Sequence, residues 1–471
     1  MAVHKVTLAP PATSSRQELA RDLKVSHAAA IVVGTIIGSG IFLVPAEMMQ
    51  AVGSSKLVYL AWVVGGFLSF FGALTYAELS AMKPQAGGEY IYMRDGYGPL
   101  GGFLYAWTWF LISKPGSIAT ITTGLVRILG TFAVFSFLPR PIASIHLGGS
   151  ANPIEITYGT LVAIAAVVLI STLNYIGVKK AGDFHLIFTL LKVAMILVIV
   201  VAAFTYARGS WANFSGSFSG AKGGINGFVA ALVAALWAYD GWNQVVTVSG
   251  EIKNPQRSLP VALISGVAVV AALYMAVNAA VQYVMPASAI AASPRPASDA
   301  TAIALGAVGA AVVSAGMALS MLVTLNGSIM TGARIPYAVA HDGYFFHPLA
   351  AVHPKFRTPS IAIIVQALMA IGLLLVAGSF KELFSLTIFS EFLVYVMATS
   401  TVFIFRVRDP NAERPYKTWG YPVVPLLFII VSGFLLYYTF MDNVRNSLIG
   451  VAIILAGIPV FLYFARKRSA A

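Results

Sequence analysis

Gly34-Thr35-Ile36-Ile37-Gly38-Ser39-Gly40-Ile41-Phe42 lies in the middle of the first long apolar run of the chain. A helix that crosses a bilayer must satisfy its own backbone hydrogen bonds, and three glycines within seven residues weaken it where no water can substitute. Such a break is tolerated where the freed amides and carbonyls face a cavity or a ligand. A second interruption, Trp237-Ala238-Tyr239-Asp240-Gly241-Trp242-Asn243, sits in the sixth apolar run. Paired interruptions in corresponding halves of a membrane protein predict a secondary transporter whose substrate binds between them.

The composition places the chain in lipid. Of 471 residues, 58% are hydrophobic and 10% are charged, with a mean hydropathy of +0.83; a soluble domain carries about 25% charged residues. Each span needs about 20 apolar residues. Twelve stretches qualify, near 28–52, 57–82, 101–131, 158–178, 184–206, 223–248, 258–285, 301–332, 360–378, 382–405, 422–441 and 446–465. The first 25 residues are polar, with Pro10-Pro11, and the run that follows is too long for a signal-peptide core. The first helix is therefore expected to act as its own insertion signal. Most connections are short, which predicts one integral domain without a soluble appendage. The longer ones are 132–157 and 207–222 on one side and 83–100 and 333–359 on the other, with a loop from Pro286 to Pro296 that has room for a short helix.

A net charge of +13 would suit a nucleic acid only on a soluble basic face, and the charges are arranged otherwise. With the N-terminus in the cytoplasm, 20 of the 30 Lys and Arg fall in or beside cytoplasmic segments, among them Arg16, Lys24, Lys83, Lys253, Arg334, Arg406 and Arg468. Outside lie Lys56, Arg140, Arg208 and Arg445, among others, while Lys114 and Lys192 fall within spans. That asymmetry predicts a multi-pass protein of the cell membrane with both termini cytoplasmic and no nucleic-acid partner. The chain has no cysteine, which excludes disulfides, thiolate metal sites and a disulfide-linked accessory subunit. An enzyme would need a nucleophile, a base or metal ligands in one constellation. His4, His27, His146, His185, His341, His347 and His353 are scattered, mostly in loops and at helix ends, so no catalytic residue, metal or cofactor is expected. A channel would want symmetric pore elements, and none is visible.

Runs one to five and six to ten each begin with a broken helix. Five is odd, so the second unit enters the membrane from the opposite side and the repeats are inverted. The expected organisation is a cytoplasmic N-terminal segment (1–27), a first repeat (28–206), a second repeat (207–405), and two further helices with a cytoplasmic C-terminus (406–471).

Several segments carry a family resemblance. Gly34–Phe42 resembles the helix 1 signature of the amino acid–polyamine–organocation superfamily. Ala235–Asn243, followed by Gly250-Glu251-Ile252-Lys253-Asn254-Pro255, is similar to its L-type amino acid transporter branch. So are Glu78–Pro99, with Gly87-Gly88-Glu89-Tyr90, and Asn326–Gly343 at the end of the eighth run. The resemblance implies an all-α integral membrane protein of twelve transmembrane helices, in the 5+5 inverted-repeat fold named after the bacterial leucine transporter, with helices 1 and 6 broken. It also implies transport of L-amino acids.

A zwitterionic substrate needs donors for its carboxylate and acceptors for its ammonium. The unwound Gly38-Ser39-Gly40, with Ile41 beginning the next half-helix, is expected to offer amides at a positive helix end. Carbonyls of Ile37, Trp237, Ala238 and Tyr239 are the expected acceptors. The same glycines could instead serve close helix packing. Trp237 stands where the family places an aromatic gate, or is one more packed ring. Asp240 either attracts cationic side chains, as it is thought to do in relatives that share it, or fixes the broken helix by internal hydrogen bonds.

Lys192 is the most informative charge. A lysine at a span's centre costs about 2.5–3.5 kcal/mol even on the mild insertion scale, so it needs a partner or a task. Sodium-coupled members of the fold bridge helices 1, 5 and 8 with Na⁺; in sodium-independent relatives a helix 5 lysine supplies that charge. Lys192 matches that position. It is expected to donate towards carbonyls near Gly38 and to Ser320 or Thr324, unless it snorkels to the interface. Lys114 and Glu391 form the other intramembrane charge network, as a structural pair or, for Glu391, a proton relay. Glu78, Asp95 and Glu251 are expected in a gate or loop network. The expected function is sodium-independent L-amino acid exchange by alternating access, for neutral and, through Asp240, cationic substrates. Proton-coupled symport and a non-transporting receptor would share the pocket.

Overall fold

The computed structural model describes residues 18–145, 154–206, 209–376, 380–442 and 444–469. His4, Arg16, His146 and Arg208, and most of the expected N-terminal segment, lie outside the described residues. The chain runs α1 (Val25–Ile36), α2 (Gly40–Val52), α3 (Ser55–Met82), α4 (Glu89–Tyr97), α5 (Pro99–Thr108), α6 (Lys114–Leu129), α7 (Tyr158–Tyr175), α8 (Val178–Tyr206) and α9 (Gly224–Tyr239). It continues through α10 (Pro255–Val284), α11 (Ala287–Ala292), α12 (Pro296–Gly332), α13 (Arg334–His341), α14 (Ser360–Val376), α15 (Phe380–Arg408), α16 (Val423–Asp442) and α17 (Val444–Ser469). Among the described residues, nine helices are long and apolar enough to cross a membrane, counting α1 with α2, α9 with the following residues to Glu251, and α12 with α13 as one each. The other three expected spans correspond to α5 with α6, the shorter apolar α14, and α15.

Both interruptions are present. The first apolar run stops at Ile36 and restarts at Gly40. The sixth stops at Tyr239, where Asp240 turns to extended backbone (φ −65, ψ 155) and Gly241 takes φ 103, a conformation open to glycine. Beyond it the chain narrows to a 3-10 segment, Trp242–Glu251, rather than resuming an α-helix.

Three features depart from simple spans. The third run contains a π-helical turn, Trp109–Ser113, between α5 and α6. Pro115 lacks an N–H and its ring crowds the carbonyl four residues back, so the helix widens just before it. The eighth run bends at Gly306 (φ 69). In the expected loop 132–157 the chain instead forms an antiparallel hairpin, β1 (Pro141–Ile145) with β2 (Ile154–Thr157).

The broken helix is the hub of the bundle. α1 packs on α8, α10 and α12, while α2 packs on α9 and α10 on α3. The outer face of α8 is apolar: Ile187, Leu190, Leu191, Val198 and Val201 are each more than half exposed. Such a contiguous face is costly in water and neutral in hydrocarbon.

Candidate functional site

Around the first break, α1 and α2 leave orphan groups of both signs. The Gly38 amide folds back onto the Ile36 carbonyl at 2.8 Å, and Phe42 bonds Ser39 at 3.1 Å. Among the described residues the amides of Ser39, Gly40 and Ile41 have no partner in the chain. The donors at the positive end of α2 are thus these three, one residue further along than the expected run Gly38-Ser39-Gly40. A Cβ at Gly38 would meet nothing nearer than the Ile36 carbonyl at 4.0 Å, so open space adjoins this residue.

Lys192 of α8 is fully buried and donates from Nζ to the carbonyls of Ile37 (2.6 Å) and Gly34 (3.0 Å). No part of it snorkels. On α12, Ser320 Oγ donates to the same Ile37 carbonyl at 2.7 Å and Thr324 Oγ1 reaches Gly34 at 3.4 Å. Three helices therefore converge on two carbonyls, with lysine and hydroxyls side by side as donors instead of lysine bonding to the hydroxyls. The Ile37 carbonyl, with both lone pairs engaged, has none left for a substrate ammonium.

The second break lies against the first. At Gly40 a Cβ would come 3.2 Å from Ala238 Cα and Cβ and 3.4 Å from the Trp237 ring. Thr35 Oγ1 donates to the Gly241 carbonyl at 2.9 Å. The Tyr274 hydroxyl of α10 sits between the Ile36 (3.0 Å) and Ala238 (2.8 Å) carbonyls and shares its one proton between the two breaks. Trp237 O accepts the Asp240 amide at 3.2 Å. Of the expected acceptors, the Tyr239 carbonyl has no partner in the chain among the described residues, while the Tyr239 ring is buried against Trp62 and Tyr274. Tyr274→Phe is expected to strand the Ala238 carbonyl and lower unfolding stability by about 1–3 kcal/mol, read as a lower thermal midpoint in the absence of substrate.

Asp240 Oδ1 accepts from the Tyr395 hydroxyl, and the Tyr395 ring stacks on Trp242 at 5.4 Å. Beside them, fully buried Glu89 collects Tyr76 (2.8 Å), Tyr105 (2.6 Å) and Asn243 (2.8 Å). Lys114 has no carboxylate within 4.0 Å among the described residues. Its ammonium lies 4.3 Å over the Trp109 ring, whose face supplies the negative potential, and Glu391, Asp240 and Glu89 act on it through space. A direct Lys114–Glu391 pair does not form; the charges make a looser four-membered group.

The end of the bundle where α1 begins is closed by ion pairs. Arg334 Nε and Nη2 grip Glu251 at 2.7 and 3.0 Å, both side chains fully buried. Leu23 bonds across to Glu251 O (3.0 Å) and Lys253 N (2.8 Å), tying the residues before α1 to the loop before α10. Glu78 accepts from Arg406 (2.7 Å) and the Thr418 amide (2.7 Å). Asp95 joins Lys83 and Arg94; burial works to raise its carboxyl, but hydrogen bonds from Arg94 and Lys83 outweigh that and hold it below the usual carboxylate range.

Sequence reading missed Tyr274, Tyr395 and the role of Glu89. A hydroxyl or carboxylate amid apolar residues was the available signal, but their partners lie on other helices.

The amino acid permease family model matches residues 23–464. The chain is 33% identical to the serine/threonine exchanger SteT of Bacillus subtilis, covering 96% of this chain and 98% of that protein. It is 31% identical to the human b(0,+)-type amino acid transporter 1 (97% and 90% covered) and 28% identical to the human cystine/glutamate transporter (96% and 87%).

Proposed function

We propose, from the premise that this chain belongs to the amino acid permease family, that it exchanges L-amino acids across the cell membrane without sodium. Membership makes it a multi-pass amino acid transporter rather than an enzyme. The finer reading is twelve spans with both termini cytoplasmic, residues 28–206 and 207–405 forming inverted repeats that alternate access to a site between the breaks. The charge asymmetry of the loops supports that orientation.

The observation that carries the sodium-independent reading is the Lys192 ammonium on the Gly34 and Ile37 carbonyls, flanked by Ser320 and Thr324. α1, α8 and α12 are the first, fifth and eighth spans, those that Na⁺ bridges in sodium-coupled members of the fold, so this reading puts the lysine in the place of that ion. A covalently held charge cannot leave with substrate, so a Na⁺ gradient has no route to drive flux. Substrate occupancy then couples the two faces, in keeping with the relative named a serine/threonine exchanger. The substrate carboxylate would sit on the amides of Ser39, Gly40 and Ile41, its ammonium by the Tyr239 carbonyl, with Trp237 as the lid. The test is uptake of labelled amino acids into proteoliposomes, with and without internal amino acid, Na⁺ and a pH gradient. Uptake that requires internal substrate and ignores Na⁺ is expected; uptake driven by protons into empty vesicles would replace exchange with symport, and binding without flux would make the protein a receptor.

For the side chain we propose neutral substrates, on the reading that Asp240, held at one oxygen by the Tyr395 hydroxyl, fixes the broken helix by internal hydrogen bonds. Asp240→Asn should weaken competition by alanine, leucine, lysine and arginine to a similar degree. A loss confined to lysine and arginine would instead assign Asp240 to cation selection.

A further inference from the structure

Far from the breaks, the first turn of α5 and the last turn of α17 border a groove of about 510 Å³ at the end where α1 begins. Its floor is aromatic, with Tyr344 and Phe461 stacked at 5.5 Å. Tyr97 and Leu100 extend it as an apolar wall, 43% and 38% exposed. Above the floor stands Arg468, its guanidinium 4.5 Å from the Tyr344 centroid. Among the described residues it makes no ion pair and no hydrogen bond. The neighbouring carboxylates are taken: Asp342 by Arg94 and Tyr90, Asp95 by Lys83 and Arg94. Arg466 and Lys467 are exposed beside it, and α5 points its positive end into the same space.

A cationic rim over an apolar trough, at the boundary of a helical membrane bundle, suits an amphipathic anion. A free phosphate would leave the aromatic floor unused, and a choline headgroup would meet three like charges. We propose that this groove binds an anionic phospholipid, with its phosphate on Arg468 and the start of α5 and an acyl chain over Tyr344, Phe461 and Leu100. Occupancy would bridge the entry of α5 to the C-terminus of α17, next to the Arg94–Asp342 pair.

The test is thermal unfolding of the purified full-length protein in a neutral detergent, titrated with phosphatidylglycerol, phosphatidylcholine or inorganic phosphate. Phosphatidylglycerol should raise the midpoint by about 3 °C or more, and the other two should not. Arg468→Glu, and separately Leu100→Trp to fill the trough, should remove that difference. Lys180→Glu, the same charge change at an exposed residue elsewhere, should keep it. Equal stabilisation by phosphatidylcholine, reproduction by inorganic phosphate alone, or a response that survives Arg468→Glu would overturn the site. So would a response lost equally in Lys180→Glu, since diffuse charge would then suffice.

Discussion

Lys192→Met should leave a folded protein whose exchange flux has fallen by more than about tenfold, equivalent to about 1.4 kcal/mol on the rate-limiting step. Methionine keeps most of the buried volume, so the loss isolates the ammonium from its packing. Two charge-assisted hydrogen bonds disappear, each worth about 1.5–3 kcal/mol, and the Gly34 carbonyl keeps only Thr324 at 3.4 Å. The break itself is then no longer tied to α8, which keeps its packing on α1 and the His27–Asp183 contact at the far end, and its two halves move without carrying the scaffold between states. Binding should be less affected than flux, because no donor to the substrate carboxylate is removed. The measurement is paired: substrate-induced thermal stabilisation for binding and counterflow in proteoliposomes for transport. Full flux in Lys192→Met would refute the role given to this residue, and Na⁺-dependent uptake by the unsubstituted protein would do so directly.

The second large effect separates two glycines only two residues apart. Gly38→Val should bind substrate at least about a hundredfold more weakly while its thermal midpoint without substrate stays near that of the unsubstituted protein. Its new side chain enters open space, with no atom beyond its own chain neighbours nearer than 4.0 Å to the Cβ. On the proposed reading, the substrate carboxylate enters this space to reach the amides of Ser39, Gly40 and Ile41. Losing two hydrogen bonds to a charged group, at about 1.5–3 kcal/mol each, gives the hundredfold figure. Gly40→Val should instead lower stability even without substrate. Its Cβ would lie 3.2 Å from the Ala238 backbone and push the two breaks apart. If the glycines served packing alone, Gly38→Val would bind normally. Thermal midpoints with and without substrate on both variants decide between the readings.

The two breaks and Lys192 were legible in the sequence because each violates a local rule. Glycines at 34, 38 and 40, and Gly241 after Asp240, weaken a regular helix where no water helps, whatever surrounds them. A lysine eight residues or more from either end of an apolar run is expensive wherever that run packs. Loop lengths and charge asymmetry are likewise local counts. The carbonyls that Lys192 serves were named only as near Gly38, and the structure resolves them to Gly34 and Ile37, with Gly38 turned back on Ile36. The π-helical turn at Trp109–Ser113 was visible only as the proline that follows it, and the β1–β2 hairpin gave no distinct signal within its loop.

What tertiary structure alone decided is the pairing across helices. Tyr274 joins Ile36 to Ala238, Tyr395 reaches Asp240, and Glu89 gathers Tyr76, Tyr105 and Asn243. Lys114 settles over Trp109 instead of meeting Glu391. In a soluble protein the apolar stripe of a helix says which face turns inward, but here lipid and core are equally apolar, so α8 carries almost no such stripe. The rotation of each helix about its axis, and with it every partner of a buried hydroxyl or carboxylate, is set by close packing among helices distant in the chain.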